Sequence, residues 1–205
     1  MGTRPENVIH VTGFGPFRSF TKSNPSWEAV SLLPDHIVHN GQQIPIVKHE
    51  IPVTYTAVDQ KIKEIWASKP KLVIHCGAHA KADKMCIEKN AFNGNFNEAD
   101  YTNKMPVSCS VMLPNGGVEC EKLCTSLDLH HILNEAETIA PIKCSNHPGN
   151  YLCGYIYLKS LDMDRTRSLF IHVPAPRENL DVPQMSHAIL TIIQNCVKQL
   201  DANAK

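Results

Sequence analysis

Short apolar runs alternate along the chain with stretches in which apolar residues recur every third or fourth position. The first run, Val8-Ile9-His10-Val11-Thr12, predicts a buried strand that stops at Gly13-Phe14-Gly15-Pro16-Phe17. Ser23-Asn24-Pro25 then offers a cap with Pro near the first helical position, and Trp27, Val30 and Leu33 form one stripe as far as Pro34. A strand follows over Ile44 to Ile51. Val58, Ile62, Ile65 and Trp66 keep helical spacing behind Thr54 or Thr56 as cap, and Lys71 to Cys76 predicts a strand ending at Gly77. Met85 to Asn90 alternates as a strand does, placing Cys86, Glu88 and Asn90 on one face.

Ala91 to Ser108 is polar, rich in Asn and aperiodic, and reads as a long loop of the kind that often carries function. Val118 to Leu127 predicts a helix with a second piece to Glu137. Strand Ile142 to Ser145, helix Gly154 to Leu161 and strand Leu169 to Val173 come next. The last helix has the clearest face, formed by Met185, Ala188, Ile189, Ile192, Ile193, Cys196, Val197 and Leu200. Strands alternating with helices imply an α/β fold with a largely parallel, twisted sheet covered on both sides. No repeat or linker divides it, so residues 1–205 are expected to form a single domain.

Charge narrows the partners. The 20 basic and 20 acidic residues cancel, which argues against a nucleic-acid or acidic-membrane surface, and no apolar run reaches the ~20 residues of a membrane span. Met1 to Asn7 lacks the apolar core of a secretion signal, so the expectation is a soluble, cytoplasmic protein. The eight cysteines fit that compartment. Cys76, Cys86 and Cys144 lie in strand-like runs, Cys196 lies on a helix face, and Cys120 and Cys124 share one face of a predicted helix. None has disulfide context, and reduced thiols are expected.

Candidate chemistry gathers where predicted strands end. Cys153 follows the turn Ser145 to Gly149 and opens a helix, an end where free backbone N–H groups and the helix dipole favour negative charge. His172 closes an apolar strand just before Pro174. In open sheets, sites collect beyond the carboxyl ends of strands, so a thiol and an imidazole there read as a nucleophile and its base. Each residue type also has a bland reading: Cys153 as an inert thiol, His172 as a satisfied core histidine, Glu88 as a solvated strand residue, Phe14 and Phe17 as core anchors. His75, Cys76 and His79 lack a second ligand pair at zinc spacing, and Gly13-Phe14-Gly15 fails the dinucleotide pattern at Arg18.

The ordered segments Val11-Thr12-Gly13-Phe14-Gly15-Pro16-Phe17, Asn24-Pro25-Ser26-Trp27, Glu50-Ile51-Pro52-Val53, Val73-Ile74-His75-Cys76-Gly77, Ile87-Glu88-Lys89, Gly149-Asn150-Tyr151-Leu152-Cys153 and Phe170-Ile171-His172-Val173-Pro174 resemble pyroglutamyl-peptidase I, a family of cysteine peptidases. The resemblance covers nearly the whole chain. It implies a three-layer α/β/α sandwich, a thiol mechanism without metal or organic cofactor, and N-terminally pyroglutamylated peptides as substrates. It also implies a triad of Cys153, His172 and Glu88, with Phe14, Phe17, Asn24, Tyr151 and Leu152 around the substrate. The alternative is a catalytically silent relative that binds blocked peptides. The chain departs from the family pattern at Arg18-Ser19-Phe20, at Pro148 where a small residue is usual, and at Ala78 where bacterial relatives carry Gln.

Overall fold

A computed structural model describes residues 7–115 and 122–203. The strands β1 (Ile9–Phe14), β2 (His36–His39), β3 (Gln42–Ile51), β4 (Leu72–Ala78), β5 (Met85–Glu88), β8 (Ile142–Ser145) and β9 (Ser168–Val173) form one sheet in the order β2-β3-β1-β4-β9-β5-β8. Strands β3, β1, β4 and β9 are mutually parallel; β2 pairs antiparallel with β3, and β5 antiparallel with β9. The sheet is therefore mixed and largely parallel, as the alternation of elements predicts. A small hairpin of β6 (Asn90–Phe92) and β7 (Lys122–Cys124) stands apart from it.

Among the described residues, five helices cover the two faces. Helices α1 (Pro25–Ser31), α3 (Leu129–Ala136) and α5 (Val182–Asn203) pack on one side through aliphatic residues such as Val30, Ile132 and Ile192. Helices α2 (Tyr55–Ala67) and α4 (Leu152–Met163) pack on the other, where aromatic residues enter the core. Local chemistry sets the helix starts. The Asn24 side chain accepts from Ser26 N–H with Pro25 in the first turn, and Thr54, not Thr56, accepts from Ala57 N–H. Helix α4 is apolar nearly all round, with Tyr155, Ile156, Tyr157 and Leu158 all buried, as suits a helix enclosed by the structure.

Two expectations need correction. The helix expected over Val118 to Leu127 is not seen in its described part, from Lys122 onward. Residues 116–121, Cys120 among them, lie outside the described residues, and Lys122–Cys124 is a strand. Pairing with Asn90–Phe92 overrides its helical pattern, because Leu123 gains a fully buried place opposite Ala91. The long loop is correspondingly shorter, since its first residues belong to that hairpin. What remains is tied down: Asp100 accepts from Tyr55 N–H at 2.8 Å and from Thr102 N–H at 2.7 Å, and Phe96 is fully buried. Among the described residues no helix is long and apolar enough to cross a membrane. The seven described cysteines are all unpaired thiols.

Candidate active site

Register brings the predicted groups together. In the antiparallel β5–β9 ladder Cys86 lies opposite His172 and Glu88 opposite Phe170, so Glu88 and His172 are diagonal neighbours on one face. The Glu88 carboxylate meets the imidazole there, with Oε1 2.8 Å from His172 Nδ1, and both residues are almost wholly buried. Its second oxygen accepts from the backbone N–H of His147 at 3.2 Å. The carboxylate is thus held from both sides, and it fixes the ring tautomer with Nδ1 protonated.

Cys153 interacts with the same ring through a side-chain hydrogen bond. With Nδ1 engaged by Glu88, the nitrogen toward the thiol is Nε2. Burial alone would push the His172 pKa down, but the hydrogen bonds and charges of Cys153 and Glu88 outweigh it and raise it from 6.5 to about 9. Both neighbours thus favour the protonated ring.

Two glycines let the thiol arrive. A Cβ on Gly77 would stand 2.7 Å from Cys153 Sγ and 2.8 Å from Phe170 Cζ, so a side chain at the end of β4 would occupy the sulfur's place. A Cβ on Gly154 would stand 2.0 Å from the Gly149 carbonyl oxygen, so only glycine lets the Ser145–Gly149 segment lie against the start of α4. No side chain caps that helix end. The first N–H groups of α4, those of Cys153 and Gly154 included, have no acceptor within the helix, an end that favours nearby negative charge.

Beside the sulfur lies a cavity of about 250 Å³, lined by Phe14, Phe17, Tyr151, Leu152 and Cys153 among others, and by no Asp or Glu. The Phe17 and Tyr151 rings stack with centroids 5.3 Å apart, and the Arg18 guanidinium lies 4.7 Å over Phe17 and 5.3 Å over Tyr151. Arg18 is paired with Glu98, and its backbone N–H donates to Tyr101 Oη at 2.7 Å, so the polar loop closes the cavity's outer edge. Phe17 and Phe20 exchange both backbone hydrogen bonds, which makes Arg18-Ser19 the tip of a tight turn with Arg18 at φ 47°.

All eight predicted site residues meet in this region: six line the cavity, Cys153 among them, and Cys153 also interacts with the His172–Glu88 pair. Asn24 sits in the cavity wall, but its amide is committed to the scaffold, donating to Gly15 C=O and accepting from Ser26 N–H and Oγ. Sequence reasoning missed Val53, His79, Ala80 and Lys81 in the lining, and singled out Arg18-Ser19-Phe20, Ala78 and Pro148 only as departures from the family pattern. Three of the missed residues directly follow β4, and the carboxyl-end rule that singled out Cys153 and His172 applies equally to them. His75, weighed for zinc, is instead bonded to Thr12 Oγ1 and Ser160 Oγ, and no described group of three or more His, Cys, Asp or Glu could hold a metal ion.

A thiol, an imidazolium and a buried carboxylate in line on an α/β sheet define the arrangement of a cysteine-type hydrolase. Residues 7–202 match the pyroglutamyl peptidase family, and the chain belongs to it. It is 30% identical to mouse pyroglutamyl-peptidase 1 over 97% of this chain and 93% of that one. It is 31% identical to the pyrrolidone-carboxylate peptidase of Thermococcus onnurineus over 91% and 93%. In structure it resembles pyroglutamyl peptidase I of Bacillus amyloliquefaciens (TM-score 0.79, 23% identity, 94% of this chain and 98% of that one). It likewise resembles the pyrrolidone carboxyl peptidase of Thermococcus litoralis (TM-score 0.81, 18% identity, 96% of each chain).

Proposed function

We propose that the protein is a cysteine omega-peptidase that hydrolyses the bond after an N-terminal pyroglutamyl residue of peptides. The observation that carries the reading is Glu88 Oε1 at 2.8 Å from His172 Nδ1, with Cys153 bonded to the same ring beside a carboxylate-free apolar cavity. In this reading the Cys153 thiolate attacks the pyroglutamyl carbonyl, and the first N–H groups of α4 bind the oxyanion that forms. His172 gives its proton to the departing amine as the carbon–nitrogen bond breaks, leaving a thioester and a new peptide N-terminus. Water then adds to the thioester while the neutral imidazole takes its proton. Collapse returns the electron pair to sulfur and frees pyroglutamic acid. Glu88 stabilises the charged ring throughout.

Phe14, Phe17, Tyr151 and Leu152 give the neutral lactam flat apolar surface, and Asn24 holds the Gly15 turn from which Phe17 projects. A free N-terminal ammonium finds no carboxylate in the lining, which favours the blocked terminus over an unblocked one. The unpaired thiols, together with a neutral charge balance, fit a cytoplasmic setting. The silent-relative alternative is not favoured, because the family and the related proteins are named as peptidases.

The test is turnover of a chromogenic pyroglutamyl amide beside prolyl and free glutamyl amides. Turnover of the first alone is expected, with Cys153→Ser reducing it by roughly a thousandfold or more while the fold is kept. Binding of the amide without turnover, or full activity in Cys153→Ser, would overturn the reading.

A further inference from the structure

We infer that the enzyme prefers an acidic residue immediately after pyroglutamate, and that Lys81 is the side chain that selects it. This rests on the peptidase reading above. The departing amine has to reach His172, the group that protonates it. The residue carrying that amine therefore leaves the cavity on the His172 side, away from the Phe14, Phe17 and Tyr151 wall.

That side is built by the turn after β4. Ala78, His79, Ala80 and Lys81 line the same cavity as Cys153, and the His79 ring stands edge-on to His172 with centroids 5.5 Å apart. Both ends of the turn are pinned: His79 N–H donates to Val173 C=O at 2.8 Å, and Ala82 N–H to His79 C=O at 2.9 Å. Lys81 stands at its tip, exposed and next to the path of the leaving group.

The charge there is local, since the chain as a whole is neutral. Arg18 and Lys81 are the two permanent cations of the lining. Arg18 is neutralised by Glu98 and lies flat over aromatic rings on the lactam side. Among the described residues Lys81 has no ion-pair or hydrogen-bond partner, and the neighbouring carboxylate of Asp83 is engaged by Lys143 at 3.5 Å. A carboxylate on the leaving residue supplies the missing counter-charge, while an ammonium in its place is repelled. One exposed charge gives a modest, salt-sensitive preference.

The experiment compares kcat/KM for pyroglutamyl-aspartyl, pyroglutamyl-alanyl and pyroglutamyl-lysyl amides, each amidated so that only the side chain varies in charge. At low ionic strength the expected order is Asp above Ala above Lys, with an Asp-to-Lys ratio of roughly tenfold. That ratio should shrink to about twofold in ~0.5 M salt, and likewise in Lys81→Met at low salt. A wild-type ratio at or below one, or a Lys81→Met enzyme that keeps the full ratio, overturns the inference while leaving the peptidase reading intact. No turnover of any of the three amides overturns both.

Discussion

The two faces of the central sheet are cut from the same strands and built on different terms. Toward α1, α3 and α5 the strands present Val11, Ile74, Ile87 and Ile171, all fully buried in an aliphatic layer. One residue along, the same strands turn Thr12, His75, Glu88 and His172 toward α2 and α4, all buried as well. The strand side chains on the first face are close-packed hydrocarbon and need no polar partner. On the second face every buried polar group needs one: His75 lies between Thr12 and Ser160, and His10 contacts His49 at 2.8 Å. Strand alternation thus lets an aliphatic layer and a polar layer share one backbone, with the buried polar side chains of these strands all on the α2 and α4 side.

Substitutions one position apart should separate the two layers. Glu88→Gln is expected to lower kcat about a thousandfold with little change in unfolding midpoint, since the amide no longer stabilises a charged His172. A loss under tenfold would mean that Glu88 only packs there. Ile171→Ala, one residue before the imidazole of His172, is expected to do the reverse. It should cost about 3 kcal/mol of stability in a urea titration while the folded enzyme keeps kcat within a few-fold.

The faces should also differ in their response to pH, because only one of them titrates. Burial, with a smaller contribution from the charge of His49, lowers the His75 pKa from 6.5 to about 3. Its contribution to stability is therefore complete above pH 6.5 and is lost as pH falls toward 3, by on the order of a few kcal/mol. In His75→Gln the acid limb of a stability-versus-pH curve should be flatter than in the wild type. His172 works in the opposite direction. Its pKa, raised to about 9, gives a contribution that is complete below 6.5 and is lost as pH climbs through 9. A fall of kcat/KM near pH 9 is the smallest of these effects, and an unchanged rate to pH 10 would count against a cationic imidazole.

How much of this was legible in the sequence followed the same division. Apolar runs located β1, β4 and β9, and the stripe from Met185 onward located α5, because burial on both sides leaves a strong pattern. His36–His39 was missed, being four residues of which only Ile37 is buried. The β6–β7 hairpin was missed because its pairing joins segments some thirty residues apart that carry no local signal. Alternation put Glu88 on a face with Cys86, but could not tell a solvated face from a buried one; that choice came from the family resemblance. The reversed direction of β5 leaves no trace in composition. Lys81 was passed over because an exposed lysine in a polar turn looks ordinary until its neighbours are known.

That reversal has its own consequence. Glu88 approaches His172 from beneath, two residues below the rim, because β5 runs downward beside an upward β9. A one-residue slip of β5 would swing the acid through to the aliphatic layer, so hydrogen-bond registry holds the Glu88–His172 pair in place. The connection over 79–84 lies outside that ladder, so changes in it can reshape the cavity edge without moving Glu88.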